Sequence, residues 1–300
     1  MERLLTVIVC TFNRKQILQL CLSALETQTY RDFEVVVVDD GSTDATMTML
    51  AEYQQTSALT IRFFSQNNSG PARARNLALE HTHTPFALLL GDDIISTPKL
   101  VETHLHFHLM NPDEGEFALG YTRWDTEHQS ISPFMKWYEK HQFDYERLGS
   151  GLQPTWQHAY TSNLSFKVQL LVRNPFNECF RTAAWEDSEL AYRLWRQNEF
   201  RLTFLRDASA THIHPTTFQQ AWKRMETLGR AERLVHTLHP ELKAQIRTDL
   251  LSRVCSLLGR YPRLLKMATV VVSSMTRPGK LHSMVLRGHH QRTYLHNEES

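Results

Sequence analysis

Leu88-Leu89-Leu90-Gly91-Asp92-Asp93-Ile94 decides how this chain reads. An apolar run ends abruptly in two adjacent carboxylates. The run has the length and composition of a strand buried on both faces. Unpaired carboxylates are too costly inside such a strand, so the pair belongs just past its C-terminal edge. In open α/β sheets that edge is where ligands bind. An acidic pair there can hold a divalent cation, and the cation a phosphate.

The pattern upstream repeats the same unit. Leu4 to Cys10 reads as a first buried strand and Lys15 to Thr27 as a helix. Phe33 to Val38 is a second strand, ending in Asp39-Asp40-Gly41-Ser42-Thr43-Asp44. Ala45 to Gln54 reads as a helix with Ser42 or Asp44 as its N-cap. Leu59 to Ser65 is a third strand, Ala72 to Glu80 a helix, and Pro85 to Leu90 the fourth strand. Pro98 opens a further helix toward Leu109. Alternating strands and helices with short connections predict a parallel sheet covered by helices on both faces. Two of these strands end in paired aspartates, which places both pairs at one edge.

Downstream the signal is weaker. Gly120 to Thr161 is irregular and aromatic, with Tyr121, Trp124, Trp137, Tyr145 and Tyr160 among its rings. Such a segment either covers a sheet edge or forms an acceptor cleft where rings stack on sugars. Thr161 to Phe166 alternates like a strand. Trp185-Glu186-Asp187-Ser188-Glu189-Leu190 starts a helix, and Arg201 to Leu205 is a short strand. Phe218 to about Ser274 reads as amphipathic helix, broken near Pro240 and Pro262. The remainder, 277–300, is polar and basic and is expected to be mobile. His104 and His108 fall at i, i+4, but no third ligand is near, so a solvated helix face is expected rather than zinc.

Composition narrows the function classes. The apolar fraction of 41% and charged fraction of 22% are ordinary for a globular protein. A net charge of +1 argues against a dedicated nucleic-acid binder. Four scattered cysteines without a C-x-x-C pair fit free thiols in a reducing compartment. No stretch approaches the ~20 apolar residues of a membrane span, and no signal peptide is evident. The expected location is cytoplasmic, with peripheral contact to a membrane left open.

The order of the motifs resembles the inverting family 2 glycosyltransferases with the GT-A fold. The matching pieces are Thr6 to Arg14, Val37 to Asp44, Asn68 to Asn76, Leu90-Gly91-Asp92-Asp93, Asn163-Leu164-Ser165, Trp185 to Leu190, and His212-Ile213-His214-Pro215. The resemblance implies a GT-A-type, Rossmann-like mixed sheet, mainly parallel, with helices on both faces and a helical C-terminal region. It implies a glycosyltransferase domain over 1–217, with a nucleotide half to about 110 and an acceptor half after it. Residues 218–276 would be a helical extension.

The same resemblance implies roles. The Thr11-Phe12-Asn13-Arg14 loop would meet the nucleotide, and Asp40 would bond its base with Asp39 nearby. Arg73 or Arg75 would approach the nucleotide or its phosphates, and Asn76 would brace the loop. Asp93 matches the last carboxylate of the family's D-x-D motif, on a divalent metal, Mn²⁺ or Mg²⁺. Asp92 would lie near the ribose. Asp187, paired with Glu186, matches the general base, and His212 or His214 would complete the metal shell. The reaction implied is hexosyl transfer from a nucleotide sugar, UDP favoured, to a glycan or other acceptor hydroxyl, as in polysaccharide biosynthesis. Gly91 departs from the family by replacing the first D-x-D acid. The alternative is a weakly active or inactive nucleotide-sugar or glycan-binding protein of the same fold.

Overall fold

Four apolar runs form the strands β1 (Leu5–Thr11), β2 (Glu34–Asp39), β3 (Thr60–Ser65) and β4 (Phe86–Gly91). Their cores, Val7 to Val9 and Val35 to Val38 among them, are fully buried, as in strands covered on both faces. Helices α1 (Lys15–Leu25), α2 (Thr46–Thr56) and α3 (Pro71–Glu80) make the crossovers. The computed structural model describes residues 3–245, 250–273, 275 and 277–295. The sheet continues with β5 (Ile94–Ser96), β6 (Glu116–Trp124), β7 (Asn163–Lys167) and β8 (Arg201–His212). Helices α4 (Leu100–Met110), α5 (Pro133–Gln142), α6 (Tyr145–Gly149), α7 (Val168–Arg173) and α8 (Glu186–Arg196) lie between them.

Strand order is β3-β2-β1-β4-β7-β6-β8-β5. The β3-β2-β1-β4 half is parallel, and β7 pairs antiparallel with both β4 and β6. The register aligns Cys10 with Val38 and with Gly91. Thr11, Asp39 and Asp92 therefore leave the sheet at one edge. The short strand expected at Arg201 to Leu205 is only the start of β8. Between Leu205 and Ala210 β8 bulges, while its partner advances only from Gly120 to Thr122. The expected strand stops where that interruption begins.

Three local expectations need correction. Neither Ser42 nor Asp44 caps α2, whose N-cap Ala45 is left-handed at φ 61°. Instead Ser42 Oγ accepts from Asn13 N and Asp44 from Lys15 N, so both tie the β2–α2 loop to the β1–α1 loop. His104 and His108 are not solvated: they are 0% and 1% exposed and bond to Ser165 and Asn163 of β7. Alternation at i, i+4 marks a helix face without saying which side it faces. The third correction concerns the C-terminus. The tail beyond Pro278 forms helix α12 (Lys280–Leu295), which buries Val285 and Leu286. Residues 296–300 lie outside the described residues.

The chain divides into two units, Met1–Gln129 with Phe143–His214, and Ser130–Gln142 with Pro215–Ser300. Helix α5 joins the second unit with the helices that follow Thr217. The second unit also holds α9 (Phe218–Leu238), α10 (Leu250–Arg260) and α11 (Pro262–Ser273). Thr217 caps α9, accepting from Gln220 N. Tyr138 of α5 packs with Ala221 and Leu286. A side chain at Gly229 would overlap Thr293, so this glycine lets α9 and α12 touch. Among the described residues no helix is long and apolar enough to cross a membrane.

Candidate active site

The edge of the sheet assembles the acidic pair first. β4 delivers Asp92 and Asp93, 6% and 7% exposed. Asp92 accepts from Thr11 Oγ1 at 2.8 Å and Arg14 Nη1 at 2.9 Å. The same Arg14 nitrogen lies 2.7 Å from Asp93 Oδ2. Burial, then the charge of Asp93, pushes the Asp92 carboxyl up to about 6 despite Arg14. Burial would raise Asp93 too. The His212 and His214 imidazoles and the Arg14 guanidinium outweigh it and hold Asp93 well below the usual carboxylate range.

The histidines arrive from far along the chain. β5 pairs antiparallel with β8 and sets Ile94 against His212. Ile213 N then bonds the Asp93 carbonyl at 2.8 Å. Two residues apart on extended backbone, His212 and His214 face the same way. His212 Nε2 lies 3.1 Å and His214 Nδ1 3.3 Å from Asp93 Oδ2. The three side chains offer ligand atoms all within 4.8 Å of one another. The three residues expected at the metal thus converge, and both histidines take part in the cluster.

Sequence reading missed the groups that hold the histidines. Trp124, at the end of β6, stacks on His212 with centroids 5.3 Å apart, and His212 on His214 at 5.2 Å. The His212 carbonyl accepts from Asp125 N and from Gln129 Nε2. Asp125 is 2% exposed and also accepts from Thr211 Oγ1. Trp124 was legible only as one more ring in an aromatic segment. Nothing in its spacing ties it to a histidine in β8.

Other expected site residues spread around this cluster. Asp40 accepts from Gln66 Nε2 and Ser69 N on one oxygen, and from Asn68 Nδ2 and Gly70 N on the other. In this structure the carboxylate shapes the turn that starts α3. Asp39 accepts from Ser42 N at 3.1 Å and fixes the glycine turn. Asn13, left-handed at φ 53°, accepts from Thr43 N, and Phe12 beside it is 45% exposed. Arg73 pairs with Glu178 at the surface. Asn76 bonds both the N–H and the carbonyl of Phe176, bracing that segment.

Arg75 is the surprise. Its guanidinium, half-buried, reaches the buried Glu186 Oε1 at 2.8 Å. The other Glu186 oxygen, Oε2, is buried with no hydrogen-bond partner. Trp185, left-handed at φ 69°, starts α8, and the Glu186-Asp187 pair occupies its first turn, where the helix dipole favours acids. Asp187 is half-buried and accepts from Ser188 N. Burial and then the nearby Asp187 charge hold the Tyr145 hydroxyl up at about 12. Tyr145 packs with Tyr121, Phe143 and Tyr160. Part of the aromatic segment thus lines the surroundings of Asp187, while Phe134, Trp137 and Tyr138 belong to the second unit.

The model of glycosyl transferase family 2 matches residues 6–155, half of the chain. The chain belongs to this family. A curated relative, glycosyltransferase GlyA of Streptococcus pneumoniae, is 30% identical over 151 residues, covering 45% of this chain and 22% of the relative. A mannosyltransferase of Pyrobaculum calidifontis, solved with GDP-Man and Mn²⁺, superposes with a TM-score of 0.64 at 18% identity. That match covers 100% of this chain and 89% of that one. Staphylococcus aureus TarS 1–349, solved with UDP, gives 0.52 at 16% identity over 97% and 89%. The fold is therefore the GT-A fold expected from the motifs. The chain spans from 12% to 43% of the length of the curated relatives it matches. Glu186, Asp187, His212 and His214 lie beyond the stretch matched by the family 2 model.

Proposed function

We propose that this chain transfers a sugar from a nucleoside-diphosphate sugar to an acceptor hydroxyl by single displacement, with inversion at the anomeric carbon. The observation that carries the reading is the convergence of Asp93, His212 and His214 at the carboxyl edge of the sheet. One carboxylate and two imidazoles suit a transition-metal cation such as Mn²⁺ better than Mg²⁺, which prefers an all-oxygen shell. When bound, such a cation acts as a Lewis acid that neutralises the leaving diphosphate. Arg14 adds fixed positive charge at the same place, within reach of both carboxylates. Thr11 and Asp92 orient the nucleotide, and the Asn13 and Asp39 loops frame it. Asp187 takes the proton of the acceptor hydroxyl as its oxygen attacks. Glu186, tied to Arg75, fixes the start of the helix that presents Asp187. The tyrosines near Asp187 offer flat surface for a sugar acceptor and exclude water from the donor.

UDP-sugars are the first donors to test, and GDP-sugars the second. The purified chain is titrated with UDP, GDP and their sugar derivatives, with and without Mn²⁺, and then assayed for donor hydrolysis and transfer. Asp187→Asn should keep donor binding and lose turnover by about a hundredfold or more. Metal-dependent nucleotide binding without turnover, unaffected by Asp187→Asn, would overturn the enzyme reading in favour of a binding protein.

A further inference from the structure

The carboxyl-terminal helices carry a surface that the transfer reaction does not use. From Leu250 to Leu295 the chain has Arg253, Arg260, Arg263, Lys266, Arg277, Lys280, Arg287 and Arg292, and no Asp or Glu. The whole chain nets only +1, so these helices concentrate its positive charge.

Helix α11 has two apolar stripes. Leu265 and Val272, 2% and 1% exposed, form the inner one and pack with Val285. Leu264, Met267 and Val270 recur every third residue on another side and are 53%, 67% and 66% exposed. Leu257 and Tyr261, just before them, are 51% and 56% exposed. Arg260, Arg263 and Lys266 are exposed among these residues. A helix needs one apolar stripe to pack against its own domain. A second stripe turned outward and set among cations marks an interaction surface.

We propose that α11 and the end of α10 dock this protein on an anionic lipid bilayer. The helix would lie in the plane of the interface, with Leu264, Met267 and Val270 among the acyl chains and Arg260, Arg263 and Lys266 at headgroup phosphates. Exposed aliphatics bordered by Lys and Arg are the composition of interfacial helices. The acid-free run complements an anionic surface, where each added cation strengthens binding about fivefold. No described helix is long enough to span the bilayer, so the contact is peripheral. A nucleic-acid surface would use the same cations but would not call for aliphatics between them.

The test is flotation of the full chain with vesicles of phosphatidylcholine alone or mixed equally with phosphatidylglycerol, at low and high salt. The chain should float with the mixed vesicles, bind phosphatidylcholine alone at least tenfold more weakly, and lose affinity as salt rises. Arg263→Gln with Lys266→Gln should weaken binding about 25-fold. Met267→Asp with Val270→Asp should abolish flotation, with circular dichroism and nucleotide-sugar binding unchanged. No flotation with the mixed vesicles, or equal flotation of these variants, would overturn the proposal. So would a wild-type dimer that fails to float and that Met267→Asp with Val270→Asp splits, since the face would then be a seam between copies. Nucleotide-sugar binding is read on the same samples, so failure of membrane docking leaves the transferase reading standing.

Discussion

Acid should weaken the first unit through His104. The network around it assigns every proton. His104 Nε2 meets Asn163 Oδ1 at 2.9 Å, so that nitrogen donates, and Nδ1 must accept from Ser165 Oγ at 2.8 Å. Ser165 Oγ then accepts from His108 Nε2, and His108 Nδ1 faces the Lys167 ammonium. Asn163 Nδ2 closes the chain on the Ala208 carbonyl. Both imidazoles are neutral in this arrangement. A proton on His104 Nδ1 would point at the Ser165 hydroxyl hydrogen and break the chain at its centre. Burial pushes the His104 imidazole down to about 4, and burial with Lys167 pushes His108 down to about 3.

An unfolded histidine takes up a proton below about 6.5. Between about 6.5 and 4 the unfolded state therefore binds more protons than the native state, and stability falls as pH falls. Above 6.5 the contribution is fully present. A shift from 6.5 to about 4 is worth about 3 kcal/mol for His104 alone, of which about 2.5 kcal/mol is lost by pH 4.5. That is a large share of the roughly 5–15 kcal/mol that holds a domain folded. His108 shares the Ser165 hydroxyl, so its loss does not simply add. Urea unfolding of the wild type and His104→Gln at pH 7.5, 6.5, 5.5 and 4.5 measures the effect. The wild type should lose about 2.5 kcal/mol more than the variant across that range. Parallel curves for the two proteins would refute the reasoning.

Three further outcomes follow from the same structure. Arg14→Met releases both carboxylates from their shared cation, so Mn²⁺ affinity without nucleotide should rise about tenfold; electron paramagnetic resonance of unbound Mn²⁺ reads it, and unchanged affinity would deny the competition. Asn76→Ala strands the buried N–H and carbonyl of Phe176 and should cost about 2 kcal/mol in chemical denaturation; a loss under about 0.5 kcal/mol would mean that the segment finds other partners. Gly120→Ala would drive its side chain into the Asn163 amide and the Ala208 carbonyl. It should cost at least about 2 kcal/mol, with amide exchange rising first in β6 and β8, and a variant as stable as the wild type would show that the strands can part cheaply.

Much of the site was legible because its near half is local. Paired aspartates after strands predict a ligand edge, and the strands, the turns and the edge all formed. Asp93 could be placed because β4 is short, apolar and buried. The far half was legible only through resemblance. Nothing in the residues around His212 indicates that β8 returns beside β5. Arg14 was expected in a loop that meets the nucleotide, yet it bridges two carboxylates because β1 and β4 are neighbours in the sheet. Arg75 was one of two arginines expected near the nucleotide or its phosphates, yet it meets Glu186 because α3 and the start of α8 come together.

The sequence by itself determined the alternation of strands and helices, the edge at which carboxylates gather, and the family. Side-chain periodicity and the cost of burying charge act over a few residues, so they can be read in one dimension. The tertiary structure alone decided three things: that both His212 and His214 reach Asp93, that His104 and His108 turn inward, and that the basic tail is a packed helix. Each depends on which distant backbone arrives alongside. An imidazole is soluble enough for a surface and apolar enough for a core, so only its neighbours settle where it lies.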